Sequence, residues 1–304
     1  VKTFSCFTLL RLSLLILLPL ITQTADAEVR VVGSSTLSPF LKEWTQLIKA
    51  KSGVDVNIST PGTSVAPKAL VQDKADIGAM NREMTNDEAE TFIRTHGYYP
   101  TAIAVAIEAV AVYAHPDNPI TGLDYAQLDA IFSSGRGCGW QENITSWGQT
   151  GITGAWGKQP IVLLGLDKKS AIRDFFNKAV ICRGDFKAGI EELSPEILLA
   201  KVAENKNALG YGSYTEASKL KIVPIKKGEG NFVPLTKDNI YNRSYRLQHY
   251  LYLYVNKPKD KPLNPAVSDF LRIGLSPQGQ SAVKDAGYLP LPPDLIQRQL
   301  SKIK

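Results

Sequence analysis

The run from Ala102 to Tyr113 constrains the fold more than any other stretch of this chain. It reads Ala-Ile-Ala-Val-Ala-Ile-Glu-Ala-Val-Ala-Val-Tyr, apolar throughout except for Glu108. It shows no in-out alternation, so both faces of the strand it predicts must be covered. Ordinary strands run about 5–6 residues. A strand this long suits a buried element that crosses from one lobe of a protein to another. Upstream, short apolar strands alternate with helical segments: Val29–Val32, a helix over 39–50, Val54–Ser59, a helix near 65–73, Ala75–Ala79, and a helix from Thr85 to Thr95. Thr85 is a natural N-cap there, with acids in the first turn. Such alternation predicts an α/β domain with a mostly parallel sheet.

Downstream of His115 a second set of elements follows. Leu123–Phe132 reads as a helix, Ser133–Lys158 is rich in Gly and Trp, and Ile161–Leu164 is a strand. A helix over Lys168–Val180 carries Ala171, Ile172, Phe175, Phe176 and Ala179 at helical spacing, an aromatic stripe that belongs to a core. Next come a helix at Pro195–Glu204 and the strand Ala208–Gly212. Leu251–Val255 is a candidate for the return crossing, and Val267–Ile273 and Gln278–Ala286 are C-terminal helices. The pattern is that of two α/β lobes joined by two long strands, with a cleft where strand ends and helix N-termini converge. Lobe I takes residues 28–111 and 241–304, and lobe II takes 112–240.

Residues 1–27 read as a secretory signal. Lys2 and Arg11 flank or punctuate an apolar core, Leu12–Ile21, and Ala25-Asp26-Ala27 supplies a small-x-small cleavage pattern. Pro19 breaks the core, and no later segment approaches about 18 uninterrupted apolar residues. The expected product, from Glu28 onward, is an exported, soluble, periplasmic or secreted protein. Of the formal net charge of +6, Lys2, Arg11 and Asp26 account for +1. The remaining mild basicity forms no Lys/Arg run interleaved with aromatics, which excludes a nucleic-acid face and suits attraction of a small anion. After cleavage only Cys138 and Cys182 remain. In an oxidising compartment they predict a disulfide closing a loop of about 45 residues, with two buried thiols as the alternative. His96, His115 and His249 are scattered, none at metal-ligand spacing.

The segment Val31–Phe40 is the chemically informative one. A short apolar run meets Gly33-Ser34-Ser35-Thr36, and an amphipathic helix begins at about Pro39. First-turn amides lack intrahelical partners and the helix dipole is positive there, so a hydroxyl-rich turn at that point is a ready oxyanion site. Nucleophilic catalysis is not indicated. No His or Lys base lies near Ser35 in sequence, no Gly-x-Ser-x-Gly elbow occurs, and the acid pairs Asp87-Glu88 and Glu191-Glu192 sit in polar contexts expected to be helical and solvated.

In order and spacing over some 250 residues, several motifs resemble the periplasmic phosphate-binding proteins of ABC transporters. They include Gly33-Ser34-Ser35-Thr36, Gly62-Thr63-Ser64-Val65-Ala66-Pro67 and the stretch from Ala75 to Met84. Others are Glu108–Tyr113, Ile131–Gly139, Ala208–Tyr211, Leu275–Gln280 and Gly287–Leu291. The resemblance implies a type II periplasmic binding-protein fold, no enzymatic activity, no cofactor, and a monomer that hands phosphate or a similar oxyanion to an inner-membrane ABC permease. It implies ligand contacts from Ser35, Thr36 and Leu37, from Ser64, and from Asn81 beside Arg82. A fourth segment, Gly-Arg-x-x-x-Ser-Gly-Thr in the family, implies contacts from Ser170, Ala171 and Ile172.

That fourth segment departs from the pattern. It reads Gly165-Leu166-Asp167-Lys168-Lys169-Ser170-Ala171-Ile172, so Leu166 stands in place of the arginine, and Ala171 and Ile172 replace glycine and threonine. The family's Tyr-Pro-Leu-x-Arg appears as Tyr245-Arg246-Leu247-Gln248-His249. An oxyanion short of donors loses about 1–3 kcal/mol per missing partner. Arg82, Lys168, Lys169 and Arg173 are candidates to restore the charge. The lysines equally fit a solvated first turn, Arg173 an outer helix face, and Arg82 a salt bridge. The departure also leaves open a different ligand, or an interaction or matrix role outside transport.

Overall fold

A computed structural model describes residues 28–214 and 219–304; the leader read in residues 1–27 lies outside the described residues. The chain opens with β1 (Val29–Gly33), α1 (Ser38–Ser52), β2 (Val56–Ser59), α2 (Ala66–Val71), β3 (Ile77–Met80) and α3 (Asn86–His96). β1 lies between β2 and β3, parallel to both, with Val31 opposite Ile58 and Ile77. α1 forms where expected because Phe40, Leu41, Trp44 and Ile48 make one buried stripe, and left-handed Gly53 ends it. Thr85 and Glu88 close a reciprocal capping box on α3.

The long apolar run forms β4 (Thr101–Ala114), buried almost throughout. Its two ends bond to different partners. Residues 101–109 pair with β11 (Gln248–Val255), which also pairs with β3, whereas Val110–Ala114 pairs with β8 (Ala208–Ser213). Beyond β8 the sheet continues through β6 (Val162–Leu166) to β7 (Glu191–Leu193), both parallel. The order is therefore β2-β1-β3-β11-β4-β8-β6-β7, with the short β9 (Lys221–Ile222) also on the end of β4. Parallel triplets flank an antiparallel centre, so the sheet is mixed, not mostly parallel. The C-terminal part of the chain re-enters beside β4 and runs opposite to it. Among the described residues β11 makes its ladder pairs with β3 and the 101–109 part of β4; the step past it is made by Tyr245 and Leu247, which hydrogen-bond to Val110.

Other boundaries moved for local reasons. β5 (Leu123–Asp124) pairs with β10 (Ile225–Lys226). The helix predicted there starts at Tyr125, because Asp124 and Gln127 cap it. The helix expected from Lys168 is α4 (Ala171–Ala179), with Ser170 as N-cap. Glu191 and Glu192 are not helical; they lie on edge strand β7, where charged side chains protect an unpaired edge. α5 (Pro195–Glu204) covers the other face of β6 and β8. Cys138 and Cys182 are disulfide-bonded.

Three C-terminal helices, α6 (Pro265–Gly274), α7 (Pro277–Asp285) and α8 (Pro293–Ile303), close the first set of strands. The Trp44 indole N–H donates to the Gly279 carbonyl at 2.9 Å. Gln280 donates to the Val105 and Gly274 carbonyls and accepts from the Leu291 amide. Gln299 accepts from the Ala104 amide. Each buried amide side chain is thus satisfied by backbone that would otherwise be unpaired. Among the described residues no helix is long and apolar enough to cross a membrane.

Candidate functional site

The C-terminal end of β1 makes the first part of the site. Gly33 adopts φ +150, and a Cβ there would fall 1.9 Å from the Ala79 carbonyl oxygen. Only glycine lets β1 approach β3 so closely. The Ser34 amide donates to that same oxygen at 2.8 Å. Its hydroxyl, buried, accepts from the Thr36 amide at 3.2 Å. Ser34 thereby caps the tight 3-10 turn Ser35–Leu37, which runs directly into α1. Ser35 is left exposed, Thr36 half-buried, and Leu37 buried beneath them.

Two further loops converge on this turn. The Gly62 amide donates to the Gly33 carbonyl at 2.9 Å, bringing the 3-10 turn Thr63–Val65 alongside. Thr63 then donates its hydroxyl to the Asn81 side-chain oxygen at 2.7 Å. Ser35, Thr36, Leu37, Ser64 and Asn81 are therefore gathered by two residues, Gly33 and Thr63. Arg82 is turned aside. Its guanidinium donates two hydrogen bonds to Glu88, at 2.7 and 2.8 Å, and one to the Glu83 carbonyl. Burial pushes Glu88 upward, but hydrogen bonds and charge from Arg82 and the Thr85 amide outweigh it and hold the carboxyl below the usual range. The same contact raises Arg82.

The start of α4 carries the fourth segment. Charge from Asp174 in its first turn is among the causes that raise Arg82. Phe175 packs edge-on against the His249 ring at 4.2 Å, and His249 is paired with buried Glu108 at 2.8 Å. Ser170 uses its hydroxyl to accept from the Arg173 amide at 3.3 Å, leaving Ala171 and Ile172 with only backbone to offer a ligand. Leu166 is fully buried. Arg173 donates to the Leu166 carbonyl at 2.6 Å, meets Glu192 at 3.2 Å and lies over the Phe186 ring. It is tied to the α4 side of β6. Lys168 lies 3.8 Å from Glu192. Of the four candidate cations, Lys169 alone among the described residues is exposed with its side chain unpaired. Among the described residues no group of three or more His, Cys, Asp or Glu is placed to hold a metal ion.

The chain matches the PBP superfamily domain over residues 21–277. It is 38% identical to the phosphate-binding protein PstS of Pseudomonas aeruginosa over 277 residues, 90% of this chain and 85% of that protein. The PstS of Staphylococcus saprophyticus is 28% identical, covering 91% of this chain and 85% of its own. The crystal structure of a possible phosphate binding protein from Planctomyces limnophilus superposes with a TM-score of 0.74 at 25% identity, covering 91% of this chain and 98% of the other. The chain belongs to the PstS phosphate-binding protein family. Its members are binding proteins, not enzymes.

Within this PstS-family chain, sequence reasoning overlooked several residues that build the site. Thr63 is the anchor of the second loop, although Ser64 beside it draws attention. Tyr288 donates its hydroxyl to the Thr36 carbonyl at 2.9 Å, fixing the oxyanion turn from the far end of the chain. Glu88 neutralises Arg82, and its position three residues after Thr85 was the available signal. Thr63 and Tyr288 both lie in stretches that carry the family resemblance, but nothing local marks their hydroxyls as the anchoring ones.

Proposed function

We propose that this chain captures inorganic phosphate or a closely related oxyanion in a cleft between two lobes, residues 28–111 with 241–304 and residues 112–240, and delivers it to an inner-membrane ABC permease. One observation carries the reading: a glycine-locked, serine-capped turn opens α1, with Ser35, Thr36, Leu37, Ser64 and Asn81 around it. In this reading the N-terminal turn of α4 faces it across the cleft, and two helix N-termini aimed at one point would concentrate unpaired amides and positive dipole where an anion would sit. β4 and the Tyr245–Leu247 segment are the two connections about which the lobes would close. In this reading the protein works as a monomer, outside the cytoplasm after cleavage near Ala27, and needs no cofactor.

Leu166, Ala171 and Ile172 favour a second reading, in which the fold serves a different ligand or an interaction outside transport. Calorimetric titration of refolded, ligand-free protein with phosphate and sulfate separates the two. Saturable heat from phosphate supports capture; no heat at millimolar phosphate overturns it and leaves the second reading standing.

A further inference from the structure

The loop after β10 and the residues flanking Tyr245 enclose a cavity of about 300 Å³ that shares no residue with the oxyanion turn or the loops beside it. Lys226, Lys227 and Arg246 line it, and Glu229 is the one acid on its wall. None of the three cations has an ion-pair partner among the described residues. Left-handed Gly228 and Gly230 turn the chain sharply after β10 and leave Glu229 exposed. Lys226 keeps its ammonium over the Phe232 ring, 5.1 Å from the centroid, and Lys227 keeps its own over Tyr125 at 5.5 Å. Two sequence neighbours thus hold their charges over different rings. Tyr125 is itself buried, and its hydroxyl has no hydrogen-bond partner. Ser244, also on the wall, donates its hydroxyl to Asn239.

The lining is therefore rich in donors and poor in acceptors. Three like charges around one concavity repel one another and raise its potential until an anion arrives. An unpaired hydroxyl in the same wall adds to the shortage of acceptors. The volume holds about ten waters at about 30 Å³ each, so a single phosphate leaves most of it to water. The charges, moreover, are spread around the cavity and not aimed at one point. We propose that this cavity is a second anion site, for a compact anion with two linked charged centres, the diphosphate class, held between Lys226, Lys227 and Arg246. Arg246 follows Tyr245, whose hydroxyl donates to the Val110 carbonyl at 2.8 Å. A bound anion therefore ties the loop after β10 to the Tyr245–Leu247 segment. The proposal does not rest on the oxyanion turn.

Calorimetric titration of refolded, ligand-free protein with inorganic diphosphate tests it. The unaltered protein should show saturable heat. Replacing two of the three cations, both exposed, in a Lys227→Gln, Arg246→Gln protein should weaken that binding at least about tenfold. Glu229→Gln should tighten it about two- to threefold by removing the opposing charge, and the affinity should fall as ionic strength rises. A Ser35→Ala, Ser64→Ala protein should bind diphosphate as the unaltered protein does. No saturable heat from diphosphate overturns the proposal, as does heat that survives Lys227→Gln, Arg246→Gln unchanged. Loss of diphosphate binding in the Ser35→Ala, Ser64→Ala protein alone assigns the anion to the oxyanion turn; that reading then stands and this one falls. If diphosphate binding depends on Lys227 and Arg246 while phosphate gives no heat, the oxyanion reading falls and this one stands.

Discussion

Replacing Glu88 with Gln isolates the question of what charge serves the site. The Arg82 guanidinium lies beside the Asn81 loop, but both of its terminal nitrogens are engaged by Glu88, so the pair is close to neutral as seen from a ligand. The substituted amide would keep an oxygen for the Thr85 amide, and with it the helix cap. It would lose the ionic contact. With side chains 32% and 20% exposed, the pair is partly screened, and its loss should cost about 1 kcal/mol of stability. The uncovered charge works the other way on binding. At about 6 Å from a bound oxyanion, with an effective dielectric constant of about 40–80, a unit charge contributes about 0.7–1.4 kcal/mol, or about three- to tenfold in affinity. Calorimetry at low ionic strength should show phosphate binding tightened by that factor. The gain should shrink at high salt and vanish in the Arg82→Ala, Glu88→Gln double variant. Unchanged or weaker binding by a folded Glu88→Gln protein would refute the argument that Glu88 masks Arg82.

Three other outcomes follow from the same geometry. Removing the Cys138–Cys182 bond, which spans 44 positions, should lower stability by about 4 kcal/mol on the chain-entropy relation; denaturant unfolding of the Cys138→Ser, Cys182→Ser protein checks this, and an unmoved midpoint contradicts it. Gly33→Ala should cost at least about 2 kcal/mol and abolish phosphate binding, because the new methyl meets the Ala79 carbonyl in a backbone conformation that side chains avoid; a thermal-shift assay with and without phosphate reads both effects. Burial alone would raise Asp76 and Glu88, but Arg30 and Arg82 outweigh it and hold both below their ordinary values. Their contribution is therefore complete above the unfolded carboxylate range of about 3.9–4.3 and is lost as pH falls through the lower folded values. Acid unfolding monitored by circular dichroism should be shallower in the Asp76→Asn, Glu88→Gln variant.

The long apolar run and the Gly33 turn were legible because their signals are local. An unbroken apolar stretch needs cover on both faces, and a hydroxyl turn before an amphipathic stripe is a helix start. The same locality explains the misses. Glu191 and Glu192 looked solvated and helical, and they are solvated, but only the neighbouring strand β6 makes them a strand. Ser170 reads as a ligand hydroxyl, and its role as N-cap of α4, accepting from the Arg173 amide while keeping its O–H to donate, shows only in the fold. Arg173 reads as a surface cation until Leu166, Glu192 and Phe186 surround it. Tyr288 holds Thr36 across nearly the whole length of the chain, a relation that spacing cannot announce.

The pairing of β3 with β11 sets an order of events during synthesis. β1, β2 and β3 leave the ribosome long before β11 exists, and α1 cannot seat Trp44 until Gly279 arrives. The N-terminal set of strands is thus held incomplete by its own topology, with non-local contacts that form late and slowly. Among the intervening strands β6, β7 and β8 find one another nearby in sequence, whereas β4 waits for β8 and β11. A chain so arranged stays open at its N-terminal end until its last helices emerge.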